Sequence, residues 1–282
     1  MENNLGSVNK QFLLKETFEI RRLILEMAHQ SNGAHIGGAL SSAEILSVLF
    51  HHEMRLDPNN PSWENRDYFI LSKGHIAVGL YSVLIRKGFI PKHEHTSYAK
   101  TGSRLGGHPS HELPGVEFST GALGHGLSLG IGMAMAARLK ELDNRTFVLM
   151  GDGELQEGTV YEAASAASRF NLGNLTAVID RNDLQINGTV EQWLPRSALS
   201  KRWGSFGWDV QTINGNDVDE VVDALAHNRQ PFGKPRLIIA NTTKANGIEF
   251  MENNKKSHSV VLNDRLYQKA CAQLKKKYSS HK

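Results

Sequence analysis

A single cysteine, Cys271, is all the thiol chemistry the chain holds, so no disulfide can form within it. That scarcity fits a reducing compartment. Cys271 falls in a helical stretch without a neighbouring base and is expected to be inert. No run approaches the roughly 18 apolar residues needed to cross a bilayer. The N-terminal MENNLGSVNKQFLLKE also lacks the apolar core of a signal peptide. The expectation is a soluble, cytoplasmic protein with no membrane partner. An excess of one charge is missing as well. The formal net charge is only +3, and much of it sits in the tail at Lys275, Lys276, Lys277 and Lys282. A solvated helix end accounts for that tail, and nucleic acid is not expected as a partner. No G-x-G-x-x-G follows a strand and no Walker A lysine occurs, which disfavours a dinucleotide or P-loop site. Internal repeats and low-complexity linkers are absent too.

What the chain does have is glycine (26 residues) and alanine, with aromatics held to 7%. Small residues suit close-packed helix and sheet layers and ligand sites lined by backbone. The 282 residues could form one large domain or two small ones. Apolar spacing predicts helices over 10–30, 43–51, 77–87, 127–142, 161–170 and 218–228. Apolar runs predict strands over 68–72, 146–150, 175–179, 209–213 and 236–240. Residues 33–38 read as a Gly-rich loop, with Ser41 or Ser42 placed to cap the helix that follows. The histidine-bearing stretch 88–126 reads as a long functional loop. Strands alternating with helices predict an α/β fold, a three-layer parallel sheet with helices on both faces. One domain over 1–282, with a C-terminal helical tail, is the simplest organisation.

The informative stretch is FVLMGDGELQEGTVYEAASAASRFNLGNLTAVIDRNDLQING. It reads as strand, Gly-Asp-Gly turn, helix, strand and polar loop. Ligands of open parallel sheets gather at the carboxyl ends of the strands, where both Asp152 and Asn182 fall. One crossover helix joins the two strands, so these residues can be neighbours. Asp152 offers an anionic oxygen and Asn182 a neutral one, and the backbone carbonyl near Leu184 could be a third protein ligand. Phosphate and water would complete the roughly six oxygens that magnesium prefers. Gly153 lets the backbone approach a phosphate, and the helix starting near Glu157 points free N–H groups the same way. Alone, a Gly-Asp-Gly would be only a tight turn; the ordered series of elements is what points to a cation-clamped diphosphate.

The longer string GDGELQEG…LGNL…DRNDLQING resembles transketolases, and the resemblance runs from the first helix to about residue 270. It implies thiamine diphosphate as cofactor and Mg2+ as metal, with Ca2+ or Mn2+ able to substitute. Asp152, Asn182 and the main chain of Leu184 match the family's metal ligands. His75, Gly121, Leu123, Gly151, Asp152, Gly153, Glu154 and Asn182 match its cofactor contacts. His35, His108 and His258 match histidines that face substrate hydroxyls and move protons. Glu157 and Glu162 match acidic residues that link two active sites across a dimer interface. An acidic residue at a helix start also favours the helix dipole, which could by itself explain Glu157. His29, His51, His52, His93, His95 and His111 match no assigned position and read as surface or satisfied helix residues.

The chain departs from the family at several points: Gly33-Ala34-His35-Ile36-Gly37 stands for Ser-Gly-His-Pro-Gly, Ala122 for Pro, His125 for Gln, Asp183 for Gly, and Ser257-His258-Ser259 for Trp-His-Gly. These bear on substrate preference more than on cofactor binding. The resemblance implies ketol transfer, a two-carbon unit passing from a ketose phosphate to an aldose phosphate, in the pentose phosphate manner or with an unusual sugar. It also implies a separate C-terminal subunit in an α2β2 heterotetramer. That subunit would supply the glutamate for the cofactor's aminopyrimidine, the pocket for that ring and arginines for sugar phosphate. The chain alone is therefore expected to be nearly inactive. Competing expectations are the α chain of a 2-oxo-acid dehydrogenase, a deoxyxylulose phosphate synthase, a phosphoketolase or a binding module without catalysis.

Overall fold

The computed structural model describes residues 8–227 and 233–279. Five parallel strands form its sheet: β1 (Tyr68–Leu71), β2 (Thr146–Gly151), β3 (Leu175–Arg181), β6 (Asp209–Asn214) and β7 (Arg236–Asn241), in the order β1-β2-β3-β7-β6. A two-residue antiparallel pair, β4 (Leu184–Gln185) and β5 (Gly188–Thr189), stands apart from it. All five predicted strands are present, each ending within two residues of its expected bounds.

The apolar runs are continuous because both faces of the sheet are covered. Phe69, Leu71, Phe147, Leu149, Val178, Ile238 and Ala240 point into one core. That core is closed by α1 (Lys10–Gln30), α2 (Ile36–Ser41), α3 (Ala43–Val48), α4 (Ala77–Lys87), α8 (Val218–His227) and α9 (Asp264–Ser279). Their alternates Ile70, Val148, Met150, Ala177, Ile179, Leu237 and Ile239 point the other way. There they meet α5 (Gly126–Leu139), α6 (Gly158–Arg169) and α7 (Arg196–Ser205). The handedness of parallel crossovers explains this division. The chain moves across the sheet in one direction from β1 to β6, with α5, α6 and α7 on one face. It turns back from β6 to β7, and α8 falls on the opposite face.

Three local expectations are corrected. Residues 36–38, read as the end of a Gly-rich loop, open α2, which is buried throughout. Packing overrides the poor helix propensity of its glycines, since only a residue without Cβ fits at Gly37, where that atom would lie 2.3 Å from the Ser257 carbonyl. Ser42 precedes α3, but its hydroxyl does not cap it; it donates instead to the Gly38 carbonyl, at 2.9 Å, and to Asp180. The helix expected over 43–51 keeps α geometry only to Val48 and continues as a π-type turn, Leu49–Glu53. Asn228, the last residue of the helix expected over 218–228, lies outside the described residues.

The tail helix α9 lies on α1, with Ala270 and Leu274 buried and Tyr267 stacked on His29 at 4.3 Å. Cys271 sits half-buried there, and burial pushes its thiol up, which keeps it unreactive at neutral pH. Helix α5 is apolar on nearly every side: Leu127, Ile131 and Ala134 face the sheet, while Gly132 and Ala136 are exposed and Leu139 is 81% exposed. No helix among the described residues is long and apolar enough to cross a membrane.

Candidate functional site

The carboxyl ends of β1, β2, β3 and β7 open onto one cavity of about 530 Å³. Lys73 and His75 follow β1, Asp152 and Gly153 follow β2, Asn182 and Leu184 follow β3, and Lys244 follows β7; all line it, with His258. Asp152 is nearly buried; its Oδ1 accepts the Gly153 N–H at 2.8 Å and its Oδ2 accepts the Asp183 N–H. The Asn182 carboxamide is fixed at both ends. Its Nδ2 donates to Asp180 at 3.2 Å and its Oδ1 accepts the Leu184 N–H at 3.2 Å. The Leu184 carbonyl accepts from Lys244 Nζ at 2.7 Å.

Burial and the nearby Asp180 push the Asp152 carboxyl up to about 6. An anion held at such a cost is the natural partner of a cation. Among the described residues, no three His, Cys, Asp or Glu side chains group to hold a metal ion. A cation here would therefore rest on one carboxylate, the Asn182 amide and the Leu184 carbonyl, with a ligand's oxygens completing the shell. That is the donor set of a hard ion shared with phosphate. The backbone is accessible at Gly153, where a Cβ would come within 3.3 Å of Gln185 Oε1.

Glu154 also braces the cavity wall. Although it borders the cavity, its buried carboxylate accepts from the Ser72 hydroxyl, the Gly124 N–H at 2.8 Å and the Gly151 N–H at 3.1 Å. It thereby ties the segment containing Gly121 and Leu123 to β2. Burial raises its pKa despite these donors.

Three of the singled-out histidines meet. His35 lies edge-on to His75 and His258 at 5.4 and 5.2 Å, and His75 stacks on His258 at 5.3 Å. Burial, then the Lys73 charge, depresses His75 to about 2. Burial, then Lys244, holds His258 at about 4, and burial with His108 and Lys244 lowers His35. All three are neutral imidazoles at pH 7, able to accept or donate a hydrogen bond. His108 is exposed and its ring backs Gly121, where a Cβ would sit 3.1 Å from Cδ2. Glu157 and Glu162 are both exposed, one at the start of α6 and one within it, outside the cavity lining.

Sequence reasoning missed Lys73, Asp180, Arg181 and Lys244, all nearly or fully buried. A signal was present: a charged residue closing an apolar strand, as Asp180 closes TAVI, needs a buried partner.

The chain matches the model of the family described as transketolase, thiamine diphosphate binding domain, over residues 15–281. It is 43% identical to one of the apulose-4-phosphate transketolase subunits of Phocaeicola vulgatus, covering 90% of this chain and 92% of that protein. It is 38% identical to the 6-deoxy-6-sulfo-D-fructose transketolase subunit SqwG of a Clostridium species, over 91% of this chain and 94% of that protein. Its fold superposes on the transketolase of Campylobacter jejuni with a TM-score of 0.89 and 34% identity, over 95% of this chain and 43% of the other. A parallel sheet with the Gly-Asp-Gly turn and the Asn182 loop at its carboxyl edge is common ground between these findings and the geometry above: the chain belongs to the transketolase family and carries its thiamine diphosphate-binding domain.

Proposed function

We propose that this chain is the cofactor-binding subunit of a transketolase that moves a two-carbon ketol unit from an anionic ketose to an aldose. The observation that carries the reading is the convergence of Asp152 and Asn182 at the ends of adjacent strands, beside the Leu184 carbonyl. These three would hold a Mg2+ ion that clamps the cofactor's diphosphate, and Gly153 would give the phosphate close access to the backbone. Thiamine diphosphate, when bound, supplies the nucleophilic carbon that takes up the two-carbon unit. Gly121 and Leu123 border the cavity where its rings would lie. His35, His108 and His258 would bind substrate hydroxyls and pass protons at their ring nitrogens, with burial lowering His35 and His258, and His75 would stand beside the cofactor's phosphates.

An anionic sugar is favoured because the two relatives described above are named for a phosphorylated and a sulfonated substrate. The family comparison favours ketol transfer over the decarboxylating thiamine diphosphate enzymes. A separate partner chain is part of the proposal. It is supported by the relatives' designation as subunits and by apolar surface left uncovered on α5 and at the cavity mouth, where Ile186 and Trp193 are 68% and 67% exposed. Two copies of each chain, α2β2, would cover both, with Glu157 and Glu162 at the contact.

The test is calorimetric titration of thiamine diphosphate with Mg2+ into the chain mixed with its candidate partner, followed by a ketol-transfer assay. Saturable, Mg2+-dependent binding and transfer are expected. Absence of binding in the mixed complex would overturn the reading.

A further inference from the structure

Arg181 is fully buried, yet it uses one nitrogen. Nη2 donates to the Leu194 carbonyl at 2.7 Å and to Glu191 Oε2 at 3.0 Å, and lies 3.2 Å from Asp183 Oδ1. Its Nε and Nη1 are buried without hydrogen-bond partners among the described residues. A guanidinium kept out of water with two idle nitrogens adds little stability, since an apolar side chain of similar volume would serve the core better. What it does instead is close a loop. Residues 182–194 leave β3 and return to the same guanidinium, and Glu191 Oε2 also accepts the Arg196 N–H at 3.0 Å as α7 begins.

The contents of this loop give that closure its meaning. It carries the Asn182 amide, the Leu184 carbonyl, and Ile186, Gln192 and Trp193 on the cavity wall. Asp183 occupies the left-handed region at φ 66°, where its N–H reaches Asp152 and its carbonyl accepts the Val190 N–H at 3.0 Å. That backbone shape is costly for most residues with a Cβ and tolerated by Asp. The Arg181 charge beside the Asp183 carboxylate helps hold the residue there.

We propose that Arg181, with Asp183 and Glu191, is a positioning clamp that sets the loop presenting the metal donors and roofing the cofactor cavity. Its functional consequence rests on the cofactor reading above; its structural consequence does not. Fixing the loop before ligand arrives removes an ordering cost from binding. The clamp therefore acts on cofactor affinity and residence rather than on the strength of the sheet.

Two readouts test this in wild type, Arg181→Met, Arg181→Lys and Glu191→Gln: hydrogen–deuterium exchange of backbone amides 183–194, and calorimetric Kd for thiamine diphosphate at saturating Mg2+ in the complex with partner. Arg181→Met is expected to speed exchange across 183–194 by about tenfold or more with β2 and β3 unchanged, and to weaken cofactor binding at least about tenfold. Arg181→Lys should recover part of both, and Glu191→Gln should show roughly a two- to threefold effect. Should Arg181→Met fail to fold, Glu191→Gln, altered at a half-exposed side chain, carries the test. Unchanged loop exchange, exchange raised equally throughout the sheet, or a loosened loop with unaltered Kd would each overturn the clamp. A wild-type complex that binds no cofactor would sink the proposed function, while the exchange arm would still decide whether the clamp exists.

Discussion

Lys73 and Asp180 form an ion pair under the cavity floor, with neither side chain more than 2% exposed. Asp180 also accepts from the Ser41 hydroxyl at 2.6 Å, from Ser42 at 3.1 Å, from Thr242 and from the Asn182 amide. Burial pulls this carboxyl upward, but the Lys73 charge and these donors outweigh it and hold it below the ordinary range. The pair joins the ends of β1, β3 and β7 and turns Asn182 so that its oxygen faces away from Asp180.

Removing one partner should therefore cost far more than removing both. Lys73→Met strands a buried carboxylate and is expected to lower unfolding free energy by about 3–5 kcal/mol. Adding Asp180→Asn should recover most of that loss. Urea denaturation of the four proteins in this cycle checks the coupling; a single Lys73→Met change within about 1 kcal/mol of wild type would contradict it.

Asp152→Asn keeps the side-chain shape and removes its charge. Mg2+-dependent thiamine diphosphate binding should fall by about 100-fold or more, about 3 kcal/mol at roughly 1.4 kcal/mol per decade. The fold should persist, because the hydrogen bonds of Asp152 among the described residues come from backbone N–H groups rather than from a cationic side chain. Calorimetry alongside a thermal melt separates the two effects. Binding that survives the substitution would remove Asp152 from the metal set.

Gly37 is where a methyl group should do damage at a distance. Its Cβ would press the Ser257 carbonyl and shift the segment that carries His258 relative to its two histidine neighbours. A displacement of that kind can cost about 100-fold in rate, so Gly37→Ala should lower kcat/KM of the assembled enzyme on that scale. Gly204, inside α7 with nothing within 4 Å of an added Cβ, provides the contrast. Gly204→Ala should stabilise by about 0.5–1 kcal/mol with activity intact. Equal activities for the two variants would refute the role given to Gly37.

His51 should make the fold acid-sensitive. Burial depresses it to about 4; Glu16, with an oxygen 3.7 Å away, pulls it up, and Lys87 and Arg86 push it down. The unfolded chain binds this proton near the ordinary histidine value of about 6.5, so between there and about 4 it holds more protons than the folded one. The contribution is complete above about pH 6.5 and is lost as pH falls toward about 4, reaching about 3 kcal/mol. In His51→Gln the slope of unfolding free energy against pH should be shallower over that window. Parallel curves for variant and wild type would exclude the assignment.

The strands were legible because a sheet covered on both faces writes uninterrupted apolar runs such as FVLM and TAVI, bounded by polar turns. The Gly-Asp-Gly turn and Asn182 were legible because they close two such runs. Helix α2 was hidden by its glycines, whose value lies in what they let approach from a distant segment. Helix α7 was hidden by its shortage of apolar residues, since Leu199 and Trp203 are its buried anchors. The lysines and Asp180 escaped because their partners come from several strand ends, and no local pattern encodes a meeting of residues separated by 107 positions, as Lys73 and Asp180 are.

Helix α5 presents grease on its outward side as well as its inward one, from Gly132 to the bare Leu139. Gly132, Ala136 and Leu139 recur along one side of the helix, and apolar surface left bare on a lone molecule is adhesive. Surplus copies without a covering partner would be the more prone to clump, however sturdy each folded unit. If the partner chain of the proposed function shields that stripe, dispersed material is best obtained by producing the two polypeptides together from the start.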